Sequence, residues 1–220
     1  MKVLIVGSGG REHALSWKIS KSPLVKKIFV APGNGGTELE NSIINIDIQA
    51  DDIEGLVQFA INKQIDLTVI GPENPLVNGI TDKFEESGLR CFGPSKGAAQ
   101  LEGSKEFMKD FLRKYNIPTA EYSSVTDSIK AIDYVREKGC PIVIKADGLA
   151  AGKGVTVAEN KQMAEDALKQ CFIDKQFDSA GLKVVIEDFL VGEEASLFAF
   201  TDSKTISPMI PAQDHKAVFE

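Results

Sequence analysis

The apolar positions of the first hundred residues form short runs that alternate with stretches of helical spacing. Residues 2–6, 27–31, 43–47 and 66–70 are compact apolar segments that read as strands, with a shorter one at 90–92. Residues 12–20 place Ala14, Leu15, Trp17 and Ile19 in a mostly helical pattern. Asp51 and Asp52 can cap a helix running to about Lys63, with Ile53, Leu56, Val57, Ala60 and Ile61 on one face. A further helix is predicted over 76–87. This alternation predicts an α/β fold with a parallel sheet covered on both faces. In such a sheet ligands sit beyond the carboxyl ends of the strands, which directs attention to the loops at 7–11, 32–37, 71–74 and 93–96.

The pattern changes near residues 101–104, where a domain boundary is placed. Residues 104–116 read as one helix with Phe107, Met108, Phe111 and Leu112 on its apolar face, ended by Ile117-Pro118. A helix at 127–138, a strand at 141–145, a glycine-rich stretch at 147–154, a strand at 155–158, a helix at 161–172 and a strand at 183–189 follow. Strands at 195–201 and 205–211, joined by Asp202-Ser203-Lys204, predict a hairpin on the near edge of a further sheet.

Composition narrows the class. The 220 residues carry 25 Lys+Arg against 32 Asp+Glu, a net charge of -7, which disfavours a broad nucleic-acid surface but leaves room for a local basic pocket. A hydrophobic fraction of 43% argues against disorder. No apolar run approaches the roughly 18 residues of a membrane span, and the start reads as a buried strand, not a signal peptide. Cys91, Cys140 and Cys171 lack metal-ligand spacing and read as reduced thiols of a cytoplasmic protein.

The turn VGSGGREHAL joins a strand to a helix, and its glycines let backbone amides face an anion. A dinucleotide fingerprint needs a third glycine where Glu12 stands, and no acidic residue ends the second strand. Arg11 at the helix start instead suits a phosphate monoester. A tight turn without a ligand is the alternative, and His13 is equally a ligand contact or a satisfied polar residue. Residues 32–37, with Gly33, Asn34 and Thr37, can wrap a sugar phosphate or serve as a plain surface connection. Glu73, ending a buried strand, can accept from ribose hydroxyls or a substrate amine, or be an exposed turn carboxylate.

No G-x-x-x-x-G-K-[ST] loop occurs. The second half offers Lys145 at the end of an apolar strand, then a glycine-spaced loop with Lys153 at its tip. Two cations and loop amides can neutralise a triphosphate during phosphoryl transfer; a hairpin with surface lysines is the alternative. Backbone groups at 187–190 can read an adenine edge over Phe189 and Leu190, and Glu193 or Glu194 can take ribose hydroxyls.

The runs PIVIKADGLAAGKGV and VIEDFLVGEEASL resemble the ATP-grasp nucleotide fold. GSGGREHAL, APGNGGT, GPENPLV, FGPSKGAAQLEGSK and PAQDHK, in that order along essentially the whole chain, narrow the resemblance to the phosphoribosylamine–glycine ligase family of purine biosynthesis. The resemblance implies a Rossmann-like pre-ATP-grasp domain at 1–102, a linker helix and start of the ATP-grasp region at 103–120, a small lid domain at 121–191, and the beginning of the core domain at 192–220. It implies a ligase in which ATP phosphorylates the glycine carboxylate and the amine of 5-phosphoribosylamine attacks the acyl phosphate. Gly9, Gly10 and Arg11 resemble the phosphate-side loop, and Gly33, Asn34 and Glu73 the phosphoribosylamine contacts. Lys105 and Lys145 resemble the nucleotide phosphate lysines, and Gly152, Lys153 and Gly154 the lid. Glu187, Phe189, Leu190 and Glu194 resemble adenosine contacts. Asp214, His215 and Lys216 match a DHK motif near the reacting substrates, followed by Ala217 where the family has arginine.

The resemblance further implies magnesium or manganese, with ligands from a continuation that this chain does not contain, so no metal ligand is assigned here. The chain is therefore expected to be the N-terminal portion of a protein about twice as long, a monomer inactive by itself, with no nucleic-acid or membrane partner. Other ATP-grasp ligases or carboxylases, and a non-catalytic nucleotide-binding fragment, are the competing expectations.

Overall fold

The computed structural model describes residues 1–149, 154–173 and 183–213. The elements run β1 (Lys2–Gly7), α1 (Gly10–Ser20), β2 (Lys27–Pro32), α2 (Gly35–Glu38), β3 (Ile43–Asn45), α3 (Ile53–Lys63), β4 (Leu67–Ile70), α4 (Glu73–Val77), α5 (Ile80–Glu86) and β5 (Cys91–Phe92). After them come α6 (Lys96–Gly103), α7 (Lys105–Lys114), β6 (Tyr122–Val125), α8 (Ser128–Lys138), β7 (Ile142–Ala146), β8 (Val155–Ala158), α9 (Lys161–Phe172), β9 (Val184–Asp188), β10 (Ala199–Thr201) and β11 (Ile206–Pro208).

The first half is a parallel sheet in the order β3-β2-β1-β4-β5, with Ile5 between Val30 and Val69 in the centre. Alternate residues of β1 feed opposite cores. Leu4 and Val6 join Phe29, Leu56, Ile70, Ile80 and Phe84, whereas Val3 and Ile5 join Ile28, Val30, Ile43 and Val69. Burial on both faces is why β1 reads as a continuous apolar run instead of an alternating one. Each such fully buried aliphatic side chain contributes about 1.5–3 kcal/mol.

The second half is an antiparallel sheet in the order β6-β9-β7-β8. Here alternation is plain. Ile142, Ile144, Ala146, Val184 and Ile186 turn to a core with Ala131 and Val135 of α8 and Ala164, Ala167 and Leu168 of α9. Lys145 and Glu187 stand on the opposite face. The predicted hairpin is the antiparallel pair β10–β11.

One predicted helix is divided, and α6 and β6 form where no element is predicted. The helix expected over 76–87 is two, α4 and α5, because Gly79 adopts φ +93 between them. Residues 96–103 form α6, and Ser104 ends α6 while capping α7 through a hydrogen bond from the Phe107 amide at 3.1 Å. Strand β6, with the polar sequence Tyr-Ser-Ser-Val, forms because β9 offers it an edge. On α7 the buried residue is Lys109, while Phe107 is exposed. On α1 the buried residues are Glu12 and Ser16, while Leu15 and Trp17 are exposed. Among the described residues no helix is long and apolar enough to cross a membrane.

Candidate functional site

The strand order reverses between β1 and β4, so the crevice at their carboxyl ends is the switch point where an α/β sheet takes its ligands. The loops after these strands place Arg11 and Glu73 across it. Arg11 Nη1 donates to Glu73 Oε1 at 2.8 Å, and Nη2 to Oε2 at 3.3 Å. The hydrogen bond from Arg11 holds the Glu73 carboxyl below its usual range, with burial opposing. Both residues remain partly exposed, so the pair contributes little to stability and is available for exchange with a ligand.

Beneath it lies Glu12, 3% exposed, whose Oε2 accepts from the Gly9 amide at 2.6 Å. Its Oε1 has no hydrogen-bond partner among the described residues. A Cβ at Gly7, Gly9 or Gly71 would come within 2.4, 2.9 and 2.2 Å of the Glu12 side chain. The space that a dinucleotide fingerprint keeps open with its third glycine is thus filled by a carboxylate. Gly9 caps α1 and Gly10 begins it, so the free amides of an eleven-residue helix open beside Arg11.

The second glycine loop is tied to the first. Asn34 Oδ1 accepts from the amides of Gly36 and Thr37 at 2.8 and 3.0 Å, and Asn34 Nδ2 donates to the Ser8 carbonyl at 2.8 Å. Its side chain therefore holds loop to loop. Gly33, at φ +76, lies so close to Asn45 that a Cβ would meet Asn45 Oδ1 at 2.2 Å.

In the second half, Asp147 reaches from the end of β7 to the start of α7. Its Oδ1 accepts from the Lys105 and Glu106 amides at 2.6 and 3.2 Å. A carboxylate at a helix N-terminus meets both unpaired amides and a favourable dipole. Lys105 Nζ donates to the Gly148 carbonyl at 2.8 Å. Burial pushes the Lys105 ammonium down from its ordinary range, with Asp147 opposing. Lys145 Nζ and Lys109 Nζ both reach Glu187 Oε2, at 2.9 and 3.0 Å. Phe189, Leu190 and Glu194 are exposed on the segment after β9, and Gly154 opens β8. Gly152, Lys153, Asp214, His215 and Lys216 lie outside the described residues.

The two halves meet in one cleft of about 520 Å³, lined among others by Arg11, Glu73, Lys105, Gly148, Gly154 and Val155. Lys145 and Glu187 sit on the sheet face that carries Val155. Three contributors were not singled out from the sequence as site residues: Glu12 as a loop support, Asp147 and Lys109. For Lys109 a signal existed, since it stands four residues after Lys105 on one helix face. Among the described residues no three His, Cys, Asp or Glu side chains gather to hold a metal ion.

Comparison with known proteins agrees with this arrangement. Residues 1–102 match the family model "Phosphoribosylglycinamide synthetase, N domain", and 103–220 match "Phosphoribosylglycinamide synthetase, ATP-grasp (A) domain". The chain is 58% identical over 220 residues to a phosphoribosylamine–glycine ligase of Haemophilus influenzae, covering all of this chain and 51% of that protein. It is 57% identical over 218 residues to the Vibrio cholerae protein of the same name, covering 99% of this chain and 51% of that one. The crystal structure of phosphoribosylamine–glycine ligase from Thermotoga maritima superposes with a TM-score of 0.76 at 29% identity, covering 96% of this chain and 49% of that one. The chain spans about half the length of the curated relatives it matches. With its parallel sheet, its antiparallel ATP-grasp sheet and these matches along its whole length, the chain belongs to the phosphoribosylglycinamide synthetase family.

Proposed function

We propose that this chain supplies the substrate-phosphate and nucleotide halves of a ligase that joins glycine to 5-phosphoribosylamine at the expense of ATP. The observation that carries the proposal is the single cleft in which Arg11 and Glu73 face Lys105 and the loop ends Gly148 and Gly154. The 5-phosphate docks where Gly9 and Gly10 start α1, on the Gly10 amide and the Arg11 guanidinium, which exchanges Glu73 for the ligand, while Glu12 keeps the Gly9 amide. Glu73, so released, accepts from the ribose hydroxyls or orients the amine. Gly33 and Asn34 hold the second wall.

Across the cleft, Lys105 and Lys145 neutralise the triphosphate as negative charge builds on the transferring phosphoryl group. Phe189 and Leu190 bed the adenine, and Glu194 takes the ribose hydroxyls. The lid residues Gly152, Lys153 and Gly154 exclude water from the acyl phosphate. Asp214, His215 and Lys216, by their match to the DHK motif, are assigned the catalytic role in this reading. The domain division at 1–102, 103–120, 121–191 and 192–220, a cytoplasmic setting and a monomeric state belong to the same reading.

Thermal unfolding with added ligands tests it. ATP and ribose 5-phosphate are each expected to raise the unfolding temperature of the 220-residue chain. Glycine-dependent ADP release is expected from the longer ligase carrying these residues. No shift with either ligand overturns the reading. Binding without glycine-dependent turnover in the longer protein leaves a nucleotide-binding module in its place.

A further inference from the structure

Lys109 is an expensive residue to bury, and nothing assigned so far requires it. It projects from the middle of α7 onto the cleft-facing side of the antiparallel sheet, and its side chain is 3% exposed. Its Nζ donates to Thr119 Oγ1 at 2.7 Å and to the Ala120 carbonyl at 3.2 Å, and reaches Glu187 Oε2 at 3.0 Å. Lys145 reaches the same Oε2 at 2.9 Å from the adjacent strand. Glu187 itself is 5% exposed, and its other oxygen has no hydrogen-bond partner among the described residues.

Two ammonium groups thus share one carboxylate oxygen, and the cluster carries an excess positive charge. The two lysines are not equivalent. Lys109 is enclosed and held by two neutral acceptors, the Thr119 hydroxyl and the Ala120 carbonyl, whereas the Lys145 side chain is 25% exposed. Lys145 is the one free to move to an anion entering the cleft. When it leaves, a buried carboxylate without a counter-charge would take up a proton or force the lysine back. A second, immobile cation removes that penalty.

We propose that Lys109 is a positioning residue that keeps Glu187 charged and in place while Lys145 exchanges this carboxylate for a nucleotide phosphate. The inference rests on the nucleotide reading of Lys145 given above and deepens it. It makes the cluster a relay with one fixed and one mobile cation. The other charged or titratable groups around it are Lys105 on α7, Asp147 after β7, and Tyr122, whose hydroxyl bonds Asp110 and whose ring lies under Lys109 at 5.7 Å.

Isothermal titration of ATP in buffers of different ionisation enthalpy reads the proposal directly. In the parent chain, binding is expected to couple little proton uptake at this cluster. In Lys109→Met, ATP affinity is expected to fall about tenfold or more, the scale of a charged hydrogen bond. The binding enthalpy should become buffer-dependent, with proton uptake approaching one per nucleotide, and affinity should fall further as pH rises. A residue that merely supported the fold would not produce that proton uptake. In a Glu187→Gln background, Lys109→Met should leave ATP affinity nearly unchanged; this pair decides the question if the single variant folds poorly. Tenfold weakening in that background, or unchanged affinity and buffer-independent enthalpy in the single variant, overturns the role of Lys109. An unchanged ATP affinity in Lys145→Ala instead strikes the nucleotide reading itself.

Discussion

Arg11 and Glu73, sixty-two residues apart in sequence, meet as a two-pronged ion pair at the switch point of the parallel sheet. In the proposed reading the pair keeps an anion site ready, with the guanidinium oriented by a carboxylate that a phosphate can replace. Arg11→Ala is therefore expected to raise the phosphoribosylamine requirement of the ligase about ten- to hundredfold, from the roughly 1.5–3 kcal/mol of a charged hydrogen bond, and the ATP requirement far less. Equal effects on the two substrates in steady-state kinetics would remove Arg11 from the substrate pocket.

The same pair has a pH signature. Arg11 holds the Glu73 carboxyl below its ordinary value of 4.5. Its stabilising share is present above that value and is lost as pH falls through the lower folded value. Partial exposure keeps that share small. Acid unfolding of Glu73→Gln should thus differ from the parent only slightly, with the gap closing at the acid end. A gap that widens as pH falls would contradict the assignment.

Close packing around Glu12 gives a stability prediction. An alanine methyl at Gly71 would lie 2.2 Å from Glu12 Oε1. Gly71→Ala is expected to cost about 1–3 kcal/mol by overpacking, measured by urea unfolding. Adding Glu12→Gly should recover part of that loss. If the second substitution makes matters worse, the clash is not the cause.

Asp147 couples the glycine loop to α7 through the amides of Lys105 and Glu106. Asp147→Ala should cost about 0.5–2 kcal/mol, the range for a lost helix cap, and speed hydrogen exchange at those two amides. Unchanged protection there would show that Asp147 does not hold those amides.

Burial pushes the Cys91 thiol up to about 11, with a hydrogen bond to Thr81 opposing, and burial raises Cys171 as well. Both should resist iodoacetamide at pH 8 in the folded chain and react freely in urea, as read by peptide mass spectrometry. Rapid native labelling of half-buried Cys91 would contradict its raised thiol.

Much of this was legible because local signals and tertiary demands agree. The strand β1 reads as buried from the four consecutive apolar residues Val3–Val6, and Asp52 caps α3 as its position suggests. Helix α9 begins and ends where its spacing says. Apart from the break at Gly79, the misses share a cause, in that a partner supplied later in the chain decided the outcome. Strand β6 exists because β9 pairs with it. Lys109 interrupts an apolar pattern and reads as a surface lysine until Glu187, far along the chain, arrives to receive it. Glu12 is visible in sequence only as a departure from a glycine motif; its enclosure by Gly7, Gly9 and Gly71 requires the sheet.

The antiparallel sheet also carries a safeguard against its own misassembly. Lys145 and Glu187 occupy alternate positions to Ile144 and Ile186, which fill the core against α8 and α9. Sliding either strand by one residue turns its side chains over, driving a charge into that core and an isoleucine into the cleft. An uncompensated buried charge is among the costliest errors a fold can make. The paired ions therefore also mark the correct strand alignment, and a chain that has folded out of register is penalised by the very residues proposed to meet the nucleotide.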